Sequence, residues 1–338
     1  MPMNQPDLQI AADFRPARLL RNAHLQSLLA SSGLRSWLFK HKRAALLRGV
    51  TEHILDCGDG VRLQGFHTPQ QTRPQARALV ILLHGWEGSA DSTYLLHAGS
   101  RLLAEGYDVF RLNLRDHGAT HHLNVGLFHS CLLDEVVGAC KAIAQLFPHM
   151  PLAIAGFSLG GNFALRVALR APAAGVVLRH AIGVCPVISP RAGLAAISNA
   201  PFFYEQYFMH KWRRSLLRKQ ALFPQRELFA ASDLRGNLHD LTRSMVERHT
   251  DFGTLENYLD GYAISGDRLA TLSVPASILT AADDPVIPIA DFRALQLSPS
   301  TELDIAPHGG HCGFIQDFTL RSYSEDYIVS RLQRTFGA

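Results

Sequence analysis

Three side chains far apart in the chain, Ser158, Asp284 and His311, have the types and the order that acyl transfer needs. A serine hydroxyl is a poor nucleophile at neutral pH. It requires an imidazole to take its proton and a third group to orient that imidazole. Ser158 stands in Gly156-Phe157-Ser158-Leu159-Gly160, after the short apolar run Pro151 to Ala155 and before the helix-compatible run Asn162 to Arg170. That is strand, sharp turn, helix, with the serine at the bend. Glycines two residues either side suit a turn too tight for side chains. The bend lifts the hydroxyl clear of the sheet and aims the Leu159 amide, at a helix start, toward the same space.

The acid and the base follow later strands. The run Val274 to Thr280 ends in Ala281-Ala282-Asp283-Asp284-Pro285. Asp284 is the preferred acid because it immediately precedes the Pro-Val-Ile-Pro that turns the chain, whereas Asp283 suits the turn itself. Beyond Asp284 the histidines are His308 and His311. His311, after Gly309-Gly310, is the preferred base and His308 the alternative. Each residue alone is an ordinary turn serine, turn aspartate or surface histidine; their order after separate strands is what points to a triad. A developing oxyanion also needs donors. Leu159 N–H is one, and Trp86 N–H, after His84-Gly85 at the end of Ala78 to Leu83, is expected as the other. Trp86 also reads as a core residue.

The elements that must bring these groups together read as alternating strands and helices. Ala78 to Leu83 (ALVILL), Tyr107 to Leu112, Val176 to Val184, Val274 to Thr280 and Thr301 to Ala306 are strand candidates, the continuous apolar runs among them typical of a parallel sheet covered on both faces. Thr51 to Asp56 and Val61 to His67 flank the turn Cys57-Gly58-Asp59-Gly60. Helices are expected over Tyr94 to Ala104, along the stripe Leu132, Val136, Cys140, Ile143, Phe147, over Ile289 to Leu297, and around Tyr323 to Leu332. The alternation predicts an α/β, doubly wound, mostly parallel sheet, whose ligands bind beyond the carboxyl ends of the strands. Residues 1–50 read as an N-terminal arm with a short amphipathic helix through Leu25, Leu28 and Leu29. Residues 51–187 and 269–338 form the core. The aromatic-rich segment 188–268 is too long for a bare loop and is expected to be a helical cap inserted over the site.

Composition sets limits. The 338 residues are 47% hydrophobic and 18% charged, enough for one large core plus an insert. A net charge of +4 is too weak to argue for nucleic acid, and no nucleic-acid partner is expected. Five scattered cysteines lack metal-type spacing and read as reduced, buried thiols. With no apolar run near a bilayer span and no signal-like amino terminus, a cytoplasmic location is expected.

Taken together, His84-Gly85-Trp86-Glu87-Gly88, Gly156-Phe157-Ser158-Leu159-Gly160-Gly161-Asn162, Asp283-Asp284-Pro285 and the glycine-flanked His311 resemble an α/β-hydrolase. Phe14-Arg15-Pro16 and Asn22-Ala23-His24-Leu25-Gln26-Ser27 resemble the YheT-like branch, which usually has Pro and Thr where Ala23 and Ser27 stand. The resemblance spans about residues 14–330. It implies a cofactor-free hydrolase of carboxylic esters, with Ser158, Asp284 and His311 as catalytic residues; no metal is expected, and the aromatic side chains of the cap, Phe202-Phe203-Tyr204, Tyr207-Phe208 and Trp212, suit a small ester with an apolar acyl group. An acyltransferase or peptidase using the same triad, or a non-catalytic binding module, are the alternatives.

Weaker signals also have plain structural roles. His129 and Asp134 fit an H-x4-D spacing proposed for acyltransferases in related hydrolases; a helix start is the favoured reading. His117, His121 and His122 lack acidic or thiol partners at metal-ligand spacing. Cys312 is taken as a buried neighbour of His311. The basic run His210 to Lys219 allows a weak membrane-surface contact, but a solvated face over a buried Trp212–Leu216 stripe is preferred. The basic and apolar segment Ser36 to Arg48 allows contact with an acidic surface, but a helix packed on the core with its charges in water is preferred.

Overall fold

The apolar runs form the centre of one sheet in the computed structural model, which describes residues 9–11, 14–226, 228–230 and 232–337. The expectations for residues 1–8, including the signal-like pattern sought there, lie outside the described residues. The strands are β1 (Gln9–Ile10), β2 (Thr51–Asp56), β3 (Arg62–Thr68), β4 (Leu79–Leu83), β5 (Asp108–Leu112), β6 (Leu152–Phe157), β7 (Leu178–Val184), β8 (Ala276–Ala281) and β9 (Thr301–Ala306), in the spatial order β1-β9-β8-β7-β6-β4-β5-β3-β2. β3 runs antiparallel to β2 and β5; every other pair is parallel.

The helices are α1 (Ala23–Ala30), α2 (Gly33–Leu38), α3 (Lys40–Leu47), α4 (Thr93–Ala104), α5 (Leu133–Leu146), α6 (Leu159–Arg170), α7 (Pro190–Asn199), α8 (Phe203–Leu222), α9 (Leu238–His249), α10 (Leu255–Gly261), α11 (Ile289–Arg293) and α12 (Tyr323–Phe336). The two faces of the sheet are covered by different sets. Leu79, Ile81 and Leu83 of β4 pack with Val136, Ile143 and Phe163 of α5 and α6. Val80 and Leu82 point the other way, into a core with Leu95 and Leu102 of α4 and Tyr327 and Leu332 of α12. This period-two division of a wholly apolar strand is why it reads as an unbroken run in sequence.

The winding positions the site. β4 has β5 on one side and β6 on the other, so the chain reverses direction across the sheet there, and a crevice opens beyond the carboxyl ends of β4 and β6. Leu83 is in register with Gly156, so His84-Gly85-Trp86 and Phe157-Ser158 leave the sheet side by side.

α7 to α10 lie between β7 and β8 and carry an apolar cluster of their own, including Met209, Trp212, Leu216, Leu241 and Met245, joined from the core side by Leu127. The Trp212–Leu216 stripe is buried. The cap is tied down by a buried ion pair: Lys219 Nζ donates to Asp116 Oδ1 at 2.6 Å, to Asn124 O at 2.5 Å and to His121 O at 3.1 Å.

Two local expectations are corrected. The helix expected over Ile289 to Leu297 is α11 alone; it ends at Arg293, and Leu295 is buried from the irregular segment after it. α1 forms where a helix was expected, capped by Asn22, whose side chain accepts the Leu25 N–H at 3.0 Å. Its buried face, however, is Gln26 and Ala30, while Leu25 and Leu28 are 37% and 58% exposed. Gln26 turns inward because its amide closes three backbone groups: it donates to Leu20 O at 2.6 Å and Ile315 O at 3.0 Å and accepts from Ile315 N at 2.6 Å. A buried backbone left without those partners would be costly.

Candidate active site

Ser158 occupies the turn between β6 and α6 with φ 54° and ψ −119°. This is a left-handed conformation that a non-glycine residue adopts only when its surroundings enforce it. The flanking glycines enforce it by proximity. A Cβ on Gly156 would lie 2.1 Å from Gly160 O, and a Cβ on Gly160 would lie 2.4 Å from both His84 O and Leu83 O. The first turn of α6 is thus pressed against the ends of β4 and β6.

The structure brings Ser158, His311 and Asp284 together. His311 Nε2 lies 2.9 Å from Ser158 Oγ, and His311 Nδ1 lies 2.9 Å from Asp284 Oδ2 and 3.2 Å from Oδ1. With Nδ1–H donating to the carboxylate, Nε2 is free to accept the serine proton. The Asp284 carboxylate is fully buried and also accepts the N–H groups of Val286 at 2.8 Å and Ile287 at 3.0 Å. Burial alone would lower the His311 pKa. The charge of Asp284, the neighbouring Cys312 and the hydrogen bond to Asp284 together outweigh it and raise the imidazole to about 9. The alternatives lie elsewhere: Asp283 Oδ1 accepts Gly310 N–H at 2.9 Å, Asp283 Oδ2 faces His308 Nδ1 at 3.6 Å, and this pair shapes the loop that carries His311.

Leu159 and Trp86 both border the same cavity as Ser158. Around Trp86 the other amides are committed: Gly85 N–H donates to the Tyr94 hydroxyl at 2.9 Å and Glu87 N–H to His117 Nε2 at 3.1 Å. Among the described residues, no acceptor engages the Trp86 or Leu159 N–H. Two buried histidines hold this loop. His84 Nε2 accepts Leu114 N–H at 3.1 Å, and His117 Nδ1–H donates to Arg115 O at 2.7 Å. Desolvation holds His84 well below the usual histidine range and His117 at about 4, so both are neutral and able to accept. The Trp86 ring stacks on Phe208 at 5.4 Å and meets Trp212 edge-on at 5.3 Å, linking this turn to the cap.

The cavity has a volume of about 650 Å³. Its walls include Trp86, Phe128, Leu194, Ile197, Phe208, Leu238, Met245, Leu259, Tyr262 and Ile287, drawn from core and cap alike. Among the described lining residues the only carboxylate is Asp91, which accepts from Arg111 at 3.0 Å, and the only Lys or Arg is Lys211.

Sequence reasoning passed over the arm as part of the site. Ser27 Oγ accepts the His311 N–H at 2.9 Å, and a Cβ on Gly310 would lie 2.2 Å from Ala23 O. α1 is therefore pressed against the loop that carries the imidazole. The Asn22-Ala23-His24-Leu25-Gln26-Ser27 motif was the available signal, but nothing in its local pattern reveals a contact with residues near 311.

The weaker candidates have other partners. Asp134 is exposed and pairs with Arg170 at 3.0 Å, while His129 borders the cavity among Phe252 and Tyr258; the two are not joined. His121 Nε2 meets Ser215 Oγ at 2.8 Å, and His122 Nδ1 meets Ala119 O at 3.1 Å. Cys185 and Cys312 are reduced and adjacent, the Cys312 N–H pointing at Cys185 Sγ at 3.4 Å. With His311 they form a cluster of three possible metal donors, but both nitrogens of that imidazole already face Asp284 and Ser158.

Residues 74–315 match the family model described as serine aminopeptidase, S33. The chain is 25% identical over 317 residues to the "Putative esterase YheT" of Escherichia coli (strain K12), covering 90% of this chain and 88% of that protein. It is 24% identical over 300 residues to the "Putative esterase slr0264" of Synechocystis sp., covering 81% and 79%. In structure it is similar to the Pyrococcus furiosus esterase Pf2001, with a TM-score of 0.53 and 17% identity over 86% of this chain and 93% of that one.

Proposed function

The chain belongs to the serine aminopeptidase S33 family of α/β-hydrolases, in its YheT-like branch, and from that footing we propose that it cleaves carboxylic esters bearing an apolar acyl group. The observation that carries this reading is the Asp284–His311–Ser158 relay opening into an apolar cavity. Ser158 Oγ attacks the ester carbonyl while His311 Nε2 takes its proton. Asp284 orients the imidazole and stabilises the imidazolium that forms. The Trp86 and Leu159 amides receive the oxyanion of the tetrahedral intermediate. His311 then returns the proton to the departing alcohol. Water, activated by the same imidazole, releases the acid from the acyl-enzyme.

The lining favours an ester over an amino-terminal peptide. An aminopeptidase must hold a free α-ammonium group, which calls for an available carboxylate. Asp91 is engaged by Arg111, and Lys211 has the wrong sign for that task. Hydrophobic walls with few polar groups suit an acyl chain. The test is turnover of p-nitrophenyl esters of graded chain length beside aminoacyl p-nitroanilides, with Ser158→Ala as control. Ester turnover and fluorophosphonate labelling that both vanish in Ser158→Ala are expected. Full activity in that variant, or faster cleavage of the anilides, refutes the assignment.

A further inference from the structure

Residues 1–50 hold eight Lys or Arg against two acids, Asp7 and Asp13, whereas residues 51–338 carry the other 25 cations against 27 acids. The net charge of +4 therefore hides a strongly basic arm on a mildly acidic body. Apart from Lys40-His41-Lys42-Arg43 the cations are dispersed along the arm, so no long run of like charge is visible in the sequence. Arg15, Arg18, Arg21, Lys40 and Arg48 are exposed. Among the described residues, only Arg35 of this arm has a carboxylate partner, Glu325.

The arm is also inverted in polarity. In α2 the charged residue points inward: Arg35 is 1% exposed and donates to Ala30 O at 2.9 Å and Leu320 O at 3.0 Å. Leu34, Trp37 and Leu38, spaced i, i+3, i+4 on one stripe, are 56%, 70% and 43% exposed. α1 repeats the inversion, with Gln26 inside and Leu25 outside. Single exposed leucines are ordinary, but a helical stripe of leucines and tryptophan turned to solvent, on an arm whose other described cations have no carboxylate partner, is not.

We propose that this arm is a docking surface for an anionic lipid bilayer. Leu34, Trp37 and Leu38 enter the headgroup boundary, and the surrounding arginines and lysines meet lipid phosphates. Charge selects this occupant. A second copy would bring like charge against like charge, and nucleic acid offers phosphates but no apolar layer for the stripe. α1 gives docking a consequence for the cavity, because its Ser27, Leu28, Ala30 and Ser31 line the same space as Ser158. The arm would hold the cavity at the surface from which an apolar ester arrives.

The test is co-sedimentation of the full chain with vesicles of phosphatidylcholine alone or with about 30% phosphatidylglycerol. Binding to the anionic vesicles roughly tenfold above the neutral ones is expected, with loss in about 0.5 M salt. The triple variant Leu34→Ser, Trp37→Ser, Leu38→Ser should lose binding while keeping wild-type turnover of a water-soluble p-nitrophenyl ester and its urea midpoint. Quenching by brominated lipid should follow Trp37, since Trp86 and Trp212 contact each other between core and cap. Wild-type protein left in the supernatant, a triple variant that binds undiminished, or binding to DNA but not to vesicles would each overturn the proposal. Sedimentation does not depend on the reaction, so a protein that binds vesicles but hydrolyses no ester would fail only the functional assignment.

Discussion

The hydroxyl of Ser27 accepts the backbone N–H of His311 across 284 positions of sequence, at 2.9 Å. α1 thereby fixes the loop that carries the imidazole. Ser27 touches neither nucleophile nor carboxylate, so it acts as a positioning residue. Ser27→Ala should lower kcat by roughly fivefold, the worth of one hydrogen bond of about 1 kcal/mol spent on imidazole placement. KM should change little, and Ser27→Thr should restore the rate. Steady-state kinetics on a p-nitrophenyl ester decide it: an unchanged kcat in the alanine variant removes Ser27 from this role.

The base must be neutral to act, and His311 is raised to about 9. kcat/KM should therefore climb with pH and level off only above about 9. Asp284 supplies the principal raising influence, so Asp284→Asn should move this limb downward while costing on the order of 10³ to 10⁴ in rate. For stability the sign is that of a raised histidine. The contribution is complete below the unfolded value of roughly 6.5 and disappears as pH rises through about 9. A limb near 7 in the wild type would contradict this environment for the imidazole.

Acid should unfold the protein early. Burial lowers His117, His121, His129 and His180 to about 4 and His84 well below its normal range. Their folded-state values are depressed, so the stability they confer is present above roughly 6.5 and is lost as pH falls toward about 4. Burial lowers His53 and His249 as well, which adds to the trend, while it pushes Glu87 to about 8, Glu135 to about 7, and Asp116, Asp283, Asp291 and Asp304 above their ordinary values, which opposes it. Urea titrations between pH 6.5 and 4.5 should show stability dropping by more than the roughly 1.4 kcal/mol per unit that one proton supplies. A flat profile would mean these rings are hydrated.

The cap is held by Lys219, and its removal should be felt. Desolvation raises Asp116 and lowers Lys219, so each charge is tolerated only because of the other. Lys219→Met leaves a buried carboxylate unpaired and should cost about 3 to 5 kcal/mol in urea unfolding. The double variant Lys219→Met, Asp116→Asn should recover part of that loss. Equal losses in the single and double variants would show that the three carbonyl and carboxylate contacts of Lys219 do not act as one unit.

How much of this was legible in the chain depends on distance along it. The turn at Ser158 is a local object: its glycines, the apolar run before it and the helix after it sit within twenty residues, and steric exclusion alone specifies them. The strands were legible because full burial on both faces demands unbroken apolar runs, as in Leu79–Leu83. The order of Ser158, Asp284 and His311 could be read, but not their separation of a single hydrogen bond each. That comes from the reversal of winding at β4 and from a loop whose two glycines fold it under α1. The faces of α1 and α2 were read the wrong way round or not at all. Periodicity assigns leucine to the inside, whereas here the inner wall is made of buried backbone carbonyls and an amide that Gln26 and Arg35 satisfy. Sequence thus determined the chemistry available and the elements that carry it. Which groups meet was decided by tertiary structure, because the partners come from separate elements: Asp284 lies 27 residues from His311, Ser158 lies 153 and Ser27 lies 284, and no local pattern encodes those approaches.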